Sequence, residues 1–275
     1  LRGLHVFCAW LAHDDSRAIN SLDTLVQRNG VPQVWHYLID FGSTLGSAST
    51  RANSPRSGHE QFFTWRSAAK EFFTFGVYVP GWSGINYADW PSVGRFSPER
   101  FDPRSWTPEY PNPAFDNRLE DDNLWAAEQV MKFTDQEIRA IVATGQYSDA
   151  AAEGHVAATL IHRRDAIGRA YLSQPLALTD IQVENGTVRF EDLSVRHGFA
   201  KGPHAYRYTW SELDNASGRT SPLPHSSSSV PSSGAAYLLV EISAEGNQSR
   251  KVKVYLRRSS PGYRVVGIER DLPYS

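Results

Sequence analysis

One stretch near the start of this chain restricts its fold more than any other. It reads His13-Asp14-Asp15-Ser16-Arg17-Ala18-Ile19-Asn20, with Asp40-Phe41-Gly42 following at the end of an apolar run. Ahead of it, Leu4, Phe7, Cys8 and Leu11 recur at helical spacing, so residues 1–12 read as a buried helix running into a polar loop. Behind it, Leu22–Gln27 and Gln33–Ile39 are strand-like and are joined across Arg28-Asn29-Gly30, where Asn-Gly favours a tight hairpin turn. The second strand delivers Asp40 at its end.

The rest of the chain divides by pattern. Gly42 to Gly58 is rich in Ser, Gly, Ala and Thr and reads as a long flexible loop, a kind of segment that often carries function. Residues 62–75 are aromatic and helical in pattern, with Gly76–Pro80 ending the element. From Gly81 to Asn117 periodicity is weak, and Trp82, Trp90, Trp106 and Tyr110 are expected to pin an irregular segment. Glu120–Phe133 reads as a helix. Thr134, with Glu137 three residues later, starts another that Gly145 stops, and Ser148–Leu172 forms a third with Val156, Leu160, Ile167 and Tyr171 in its buried stripe.

Beyond Pro175 the period changes from helix to strand. Val183–Phe190 contains an Asn185-Gly186 turn, and Tyr206–Leu213, Tyr237–Ser243, Lys251–Arg257 and Tyr263–Ile268 are short alternating runs. Ser221–Gly234 is a low-complexity Ser/Pro run, read as a mobile loop. The expected fold class is therefore α+β with a boundary near Gln174. Residues 1–174 form a mainly helical domain with a β-hairpin, and residues 175–275 a small antiparallel β domain for which a sandwich is one expected arrangement.

Composition adds exclusions. With 275 residues, 40% of them hydrophobic, the chain can bury one large or two small cores. A net charge of −2 supplies no global field for nucleic acid or an anionic membrane. Cys8 is the single cysteine, so no intrachain disulfide forms, which fits a reducing compartment. No apolar run reaches the roughly 18 residues of a membrane span. Leu1–Ala12 lacks a small-residue cleavage site and does not read as a signal peptide. The first residue is not Met, and the expectation is a fragment or a processed product.

The spacing Asp15–Asn20 followed by Asp40-Phe41-Gly42 resembles the catalytic segment, the C-lobe part, of an atypical protein-kinase-like or lipid-kinase-like fold. By that resemblance Asp15 would be the catalytic base that orients an acceptor hydroxyl. Arg17 would neutralise charge on the transferring phosphoryl group. Asn20 and Asp40 would hold magnesium, with Asp40, Phe41 and Gly42 forming the cofactor-binding turn for Mg2+ and ATP. Asp14 stands where the family commonly has Arg, and the hairpin is longer than usual. No Ala-Pro-Glu motif follows. No glycine-rich loop and no lysine precede Asp15, the lysines being Lys70, Lys132, Lys201, Lys251 and Lys253, so the nucleotide-gripping N-lobe is not present in the chain.

The resemblance implies a kinase-like phosphotransferase, or the C-terminal portion of one, with a nucleotide and an unknown acceptor as partners. A second reading is a non-catalytic binding protein on a degenerate kinase-like scaffold, with the β domain meeting a protein partner. A third is a metal-dependent hydrolase using His13, Asp14, Asp15, His36, Asp40 and His59, although no His-x-x-x-His spacing occurs. The bland alternative for the motif is that Asp15 and Asn20 cap a turn and Asp40 ends a strand. The acidic run Glu120-Asp121-Asp122 is expected as a helix start, and Arg163-Arg164 as a solvated or ion-paired helix face.

Overall fold

The computed structural model describes residues 1–75, 77–173, 176–201, 205–245 and 247–271. The chain is α+β and divides into two compact units, Leu1–Ala170 and Tyr171–Ser275. Gly76, expected to end a helix, and Gln174 and Pro175, expected at the boundary, lie outside the described residues.

In the first unit, α1 (Leu4–Leu11) buries His5, Val6, Cys8, Ala9 and Trp10. That face differs from the expected Leu4–Phe7–Cys8–Leu11 stripe, of which only Cys8 is buried while Leu4, Phe7 and Leu11 are half-buried. From α6 (Ala150–Leu172), the Leu160 carbonyl accepts from Trp10 Nε1 at 2.9 Å. Arg163 on the same helix donates to the carbonyls of Ala9 and Ser97, and its guanidinium lies 3.8 Å from the Phe101 ring centroid. Arg163 is therefore a buried tie between segments and not the solvated face expected of it. Arg164 does pair with Asp135 and Asp165. Two further helices are as read: α4 (Glu120–Met131), and α5 (Asp135–Ala143) with the Thr134–Glu137 capping box. At α4 the acidic start caps the helix, since Asp122 accepts from the Leu119 N–H at 2.8 Å and pairs with Arg2.

The hairpin forms as expected. β1 (Ser21–Arg28) pairs antiparallel with β2 (Val31–Leu38), closing with Arg28 opposite Val31. Asn29 and Gly30 have φ of 52° and 75°, the left-handed pair that a tight hairpin turn demands. Neither face is deeply buried: Leu25 is 72% exposed and Val34 55%.

The Gly42–Gly58 segment is not the free loop its composition suggests. Leu45 N–H bonds to the Leu11 carbonyl at 2.8 Å, Ser47 bridges Ala52, and Gly58 bridges Thr107. At its centre two backbones cross. The Gly46 carbonyl accepts from the N–H groups of both Asn53 and Arg95. A Cβ on Gly46 would stand 2.3 Å from the Arg95 carbonyl carbon, and one on Gly94 would stand 2.1 Å from the Gly46 oxygen. Glycine at both positions permits the crossing. After it, α2 (Trp65–Phe73) buries no residue. Residues 81–117 stay irregular, with a short α3 (Pro113–Asp116); Trp106 is buried, and Trp82, Trp90 and Tyr110 are half-buried.

In the second unit a hairpin of β3 (Leu178–Glu184) and β4 (Thr187–Asp192) precedes the short α7 (Leu193–Arg196). A five-stranded antiparallel sheet follows. Its members are β5 (Tyr206–Leu213), β6 (Thr220–Leu223), β7 (Tyr237–Ala244), β8 (Asn247–Arg258) and β9 (Tyr263–Asp271), in the order β6-β5-β7-β8-β9. Trp210, Val240 and Val254 share one line across β5, β7 and β8, and Leu238 opposes Leu256. These residues join Leu178, Ile181 and Val188 of the hairpin in one core, so hairpin and sheet make two layers. The Ser/Pro run is tied down here too. Its first three residues, Ser221 to Leu223, belong to β6, and its Ser227 carbonyl accepts from the indole N–H of the fully buried Trp210 at 2.8 Å. Among the described residues, no helix is long and apolar enough to cross a membrane.

Candidate functional site

The polar loop leaves α1 by a sharp turn. Ala12 has φ 49°, and the His13 N–H returns to the Cys8 carbonyl at 2.8 Å. The loop then closes on itself, with the Asn20 amide donating to the Asp15 carbonyl at 2.8 Å and Asn112 donating to the Ser16 carbonyl at 2.9 Å. Both contacts satisfy backbone acceptors that would otherwise be buried without partners.

The same loop is stitched to the Asp-Phe-Gly segment. Ile39 N–H bonds to the Asn20 carbonyl at 2.9 Å, and Asp14 N–H to the Ser43 carbonyl at 3.1 Å. Between these two bonds the Phe41 ring stacks on the His13 ring, with centroids 5.0 Å apart. Asp40 takes left-handed backbone angles, φ 60° and ψ 75°, and one of its oxygens faces the Gly42 N–H at 3.4 Å. The hairpin thus sets Ile39 opposite Asn20, with Asp40 one residue beyond. Gly42 leaves room for Ser49, whose Oγ would lie 2.9 Å from an added Cβ.

Asp15 and Arg17 form an ion pair at 2.7 Å, and the Arg17 guanidinium lies 5.0 Å from the Tyr110 ring centroid. Asp15 borders a recess of about 570 Å³ with Asp14, Ser43 and Glu109; Asn20 and Asp40 are not among its lining residues. Of the six motif positions, therefore, Asn20 is buried in the loop and Asp40 is exposed one residue beyond its partner Ile39, Phe41 rests on the loop, Gly42 follows in the same turn, Asp15 borders the recess, and Arg17 is paired with Asp15 outside the recess lining.

The electrostatics follow burial. Asp14 is buried, which pushes its carboxyl up, while Asn53 donates to it at 3.2 Å. Burial, then the charges of Asp14 and Asp15, push Glu109 up as well. Burial pushes the His13 imidazole down, against the pull of Asp15, Asp40 and Asp14. His13 lends the loop a neutral ring to stack on.

Magnesium favours oxygen ligands, commonly one or two from protein with phosphates and water supplying the rest. Asn20 and Asp40 are residues of that chemistry. Asn20 is buried and spends its amide nitrogen on the Asp15 carbonyl, keeping its side-chain oxygen as an acceptor, while Asp40 carries an exposed carboxylate. Among the described residues, no group of three His, Cys, Asp or Glu is placed to hold a metal. His36 is paired with Asp23 at 2.7 Å on the hairpin, and His59 lines a separate cavity near Arg163. Sequence reasoning did not single out Asn53, Asn112 or Glu109, because each is remote in the chain and belongs to no motif.

No model of a known protein family matches the chain, and no curated protein or solved structure does.

Proposed function

We propose that the first unit carries the metal- and acceptor-side half of a kinase-like phosphotransfer centre working with Mg-ATP. One observation carries this reading. The His13–Asn20 loop and the Asp40–Gly42 turn are held as one body by two backbone hydrogen bonds and one ring stack. The Ile39–Asn20 bond extends the β1–β2 ladder by one residue, while the Asp14–Ser43 bond and the His13–Phe41 stack tie the loop to the turn beyond the ladder. Phosphoryl transfer asks the protein chiefly for positioning and charge, and rigid oxygen donors serve that need.

In this reading Asp15 orients an acceptor hydroxyl in the recess and takes its proton. Arg17 holds the Asp15 carboxylate in direction and lies ready for phosphoryl charge. Asn20 and Asp40 would be the magnesium ligands, and the bound metal would supply neutralisation of phosphate charge. His13 and Phe41 position Asp40 without touching reactants.

Manganese in place of magnesium provides a sensitive test. Mn-ATP should broaden the amide resonances of Asp15–Ser21 and Asp40–Ser43 in the chain, and Asp40→Ala should abolish the broadening. Resonances unaffected by Mn-ATP, or affected equally in the variant, would sink the proposal. The binding-protein reading has one observation in its favour, that the Asp15 carboxylate is already committed to Arg17. It requires the first of those negative results, with the β domain then carrying the partner-binding role.

A further inference from the structure

The recess beside Asp15 is lined by charges of both signs. Asp14, which is buried, Asp15 and Glu109 supply carboxyl groups, and Arg51 and Arg95, which are exposed, and Arg56 supply guanidinium groups. Most arginines of the first unit are spent on the fold: Arg2, Arg104 and Arg164 are ion-paired, Arg163 and Arg118 serve backbone carbonyls, and Arg95 donates to the Asn53 carbonyl at 2.6 Å. Arg51 and Arg56 differ from these. Among the described residues neither guanidinium is hydrogen-bonded or ion-paired to a carboxylate or carbonyl, as is also true of Arg28, Arg66 and Arg139, but only Arg51 and Arg56 of these line the recess, where the charge of Arg56 also acts on Glu109.

Arg56 is nevertheless held in place. Its guanidinium lies 5.3 Å from the Phe62 ring centroid. Phe62 stacks on Tyr110 with centroids 5.8 Å apart, and Tyr110 carries Arg17, which is paired to Asp15. The Phe62 N–H also bonds to the Glu109 carbonyl at 2.7 Å. A continuous stack of guanidinium, two aromatic rings and guanidinium therefore runs from Arg17, the partner of the candidate base, to Arg56. Cation–π contact orients an arginine while leaving its N–H edge open to an anion, and a guanidinium fork matches phosphate or carboxylate.

We infer that Arg51 and Arg56 form an anion subsite of the acceptor pocket, so that the acceptor is a small hydroxyl compound bearing a phosphate or carboxylate group. The inference rests on the proposed role of Asp15 for its hydroxyl end. A neutral hydroxyl suits the carboxyl groups, where an anion would be repelled, and the anionic end of the same molecule suits the two arginines. A purely neutral acceptor would leave the two arginines without a use, and a dianion without a hydroxyl would have nothing for Asp15 to orient.

The experiment uses the whole chain without nucleotide, titrated with glycerol 3-phosphate and separately with glycerol, while arginine Nε–H resonances are followed. Glycerol 3-phosphate should shift the Arg51 and Arg56 signals saturably, and glycerol should not. Arg51→Gln and Arg56→Gln, each a change at a lining position, should each weaken that binding by about tenfold, the worth of one charge-assisted pair. Binding that is equal for glycerol, or unchanged by both substitutions, overturns the inference. Asp40→Ala supplies the separation from the phosphotransfer reading. That variant should keep its glycerol 3-phosphate response, so a failure with Mn-ATP leaves the anion subsite standing, and a failure here leaves the metal side standing.

Discussion

His5 makes the helix that carries the candidate site sensitive to acid. Its Nε2 lies 3.0 Å from the Trp106 carbonyl, which only accepts, so Nε2 carries the proton. Its Nδ1 is buried with no partner, and the ring sits edge-on to Trp106 and Phe115 at 5.5 Å from each. Protonation would place a second N–H, and a charge, where no acceptor exists. Burial, helped by the nearby Arg118 charge, accordingly pushes its pKa down from 6.5 to about 4. The sign follows from linkage. The unfolded chain takes up a proton near 6.5 that the folded chain refuses, so the contribution to stability is complete above that pH and lost as pH falls towards 4. The gap is worth about 3 kcal/mol when both values have been passed, and about 2 kcal/mol at pH 5.

The perturbation is His5→Gln, which keeps a donor for the Trp106 carbonyl and cannot titrate. Urea unfolding at pH 7.5 and pH 5 is measured for both chains. The loss between the two conditions should be about 2 kcal/mol larger for the native chain than for the variant. The difference is the readout because other groups titrate too. Burial lowers His13 and His59 with the same sign, and raises Asp14 and Glu109 with the opposite sign. Equal losses in the two chains would refute the reasoning. So would a native His5 imidazole that titrates near 6.5 by NMR, a check that stands even if His5→Gln folds poorly.

Two more outcomes test the site's supports. Gly46→Ala should lower stability by about 3 kcal/mol or more, from a left-handed φ and a clash with backbone that cannot retreat; Gly30→Ala, with a similar φ of 75° but open space around it, should cost only about 1–2 kcal/mol. Similar urea midpoints for the two variants would show that the backbone crossing contributes nothing. Phe41→Ala should uncover one face of the buried His13 ring and move its pKa up towards the ordinary value, since burial is what depresses it. An NMR titration of His13 that does not move would mean the stack is not what keeps water out.

Elements dictated by local chemistry were legible in the chain. Thr134 and Glu137 make their capping box wherever they are placed, Asn29-Gly30 supplies the two positive φ angles of a hairpin, and the stripe Val156–Leu160–Ile167–Tyr171 is buried as its spacing implies. Those signals depend on neighbours a few residues apart. The order Asp15, Asn20, Asp40 was legible in the same way, as a spacing.

What that spacing amounts to was decided in three dimensions. Composition assigned Gly42–Gly58 and Ser221–Gly234 to free loops, yet each is held by partners far along the chain: Arg95 and Asp14 for the first, Thr187 and Trp210 for the second. Small and polar residues lower the cost of bending a chain, but they also permit close backbone approach, and only the approaching segment tells the two apart. Likewise no local pattern distinguishes Arg51 and Arg56 from Arg163. One is buried between phenylalanine rings and the other two edge a recess, because α1, α6 and residues 96–110 come together around the first and leave space beside the others. The sequence by itself determined which polar and charged groups the chain carries at which spacing; the packing of remote segments determined which of them are spent on the fold and which border a recess.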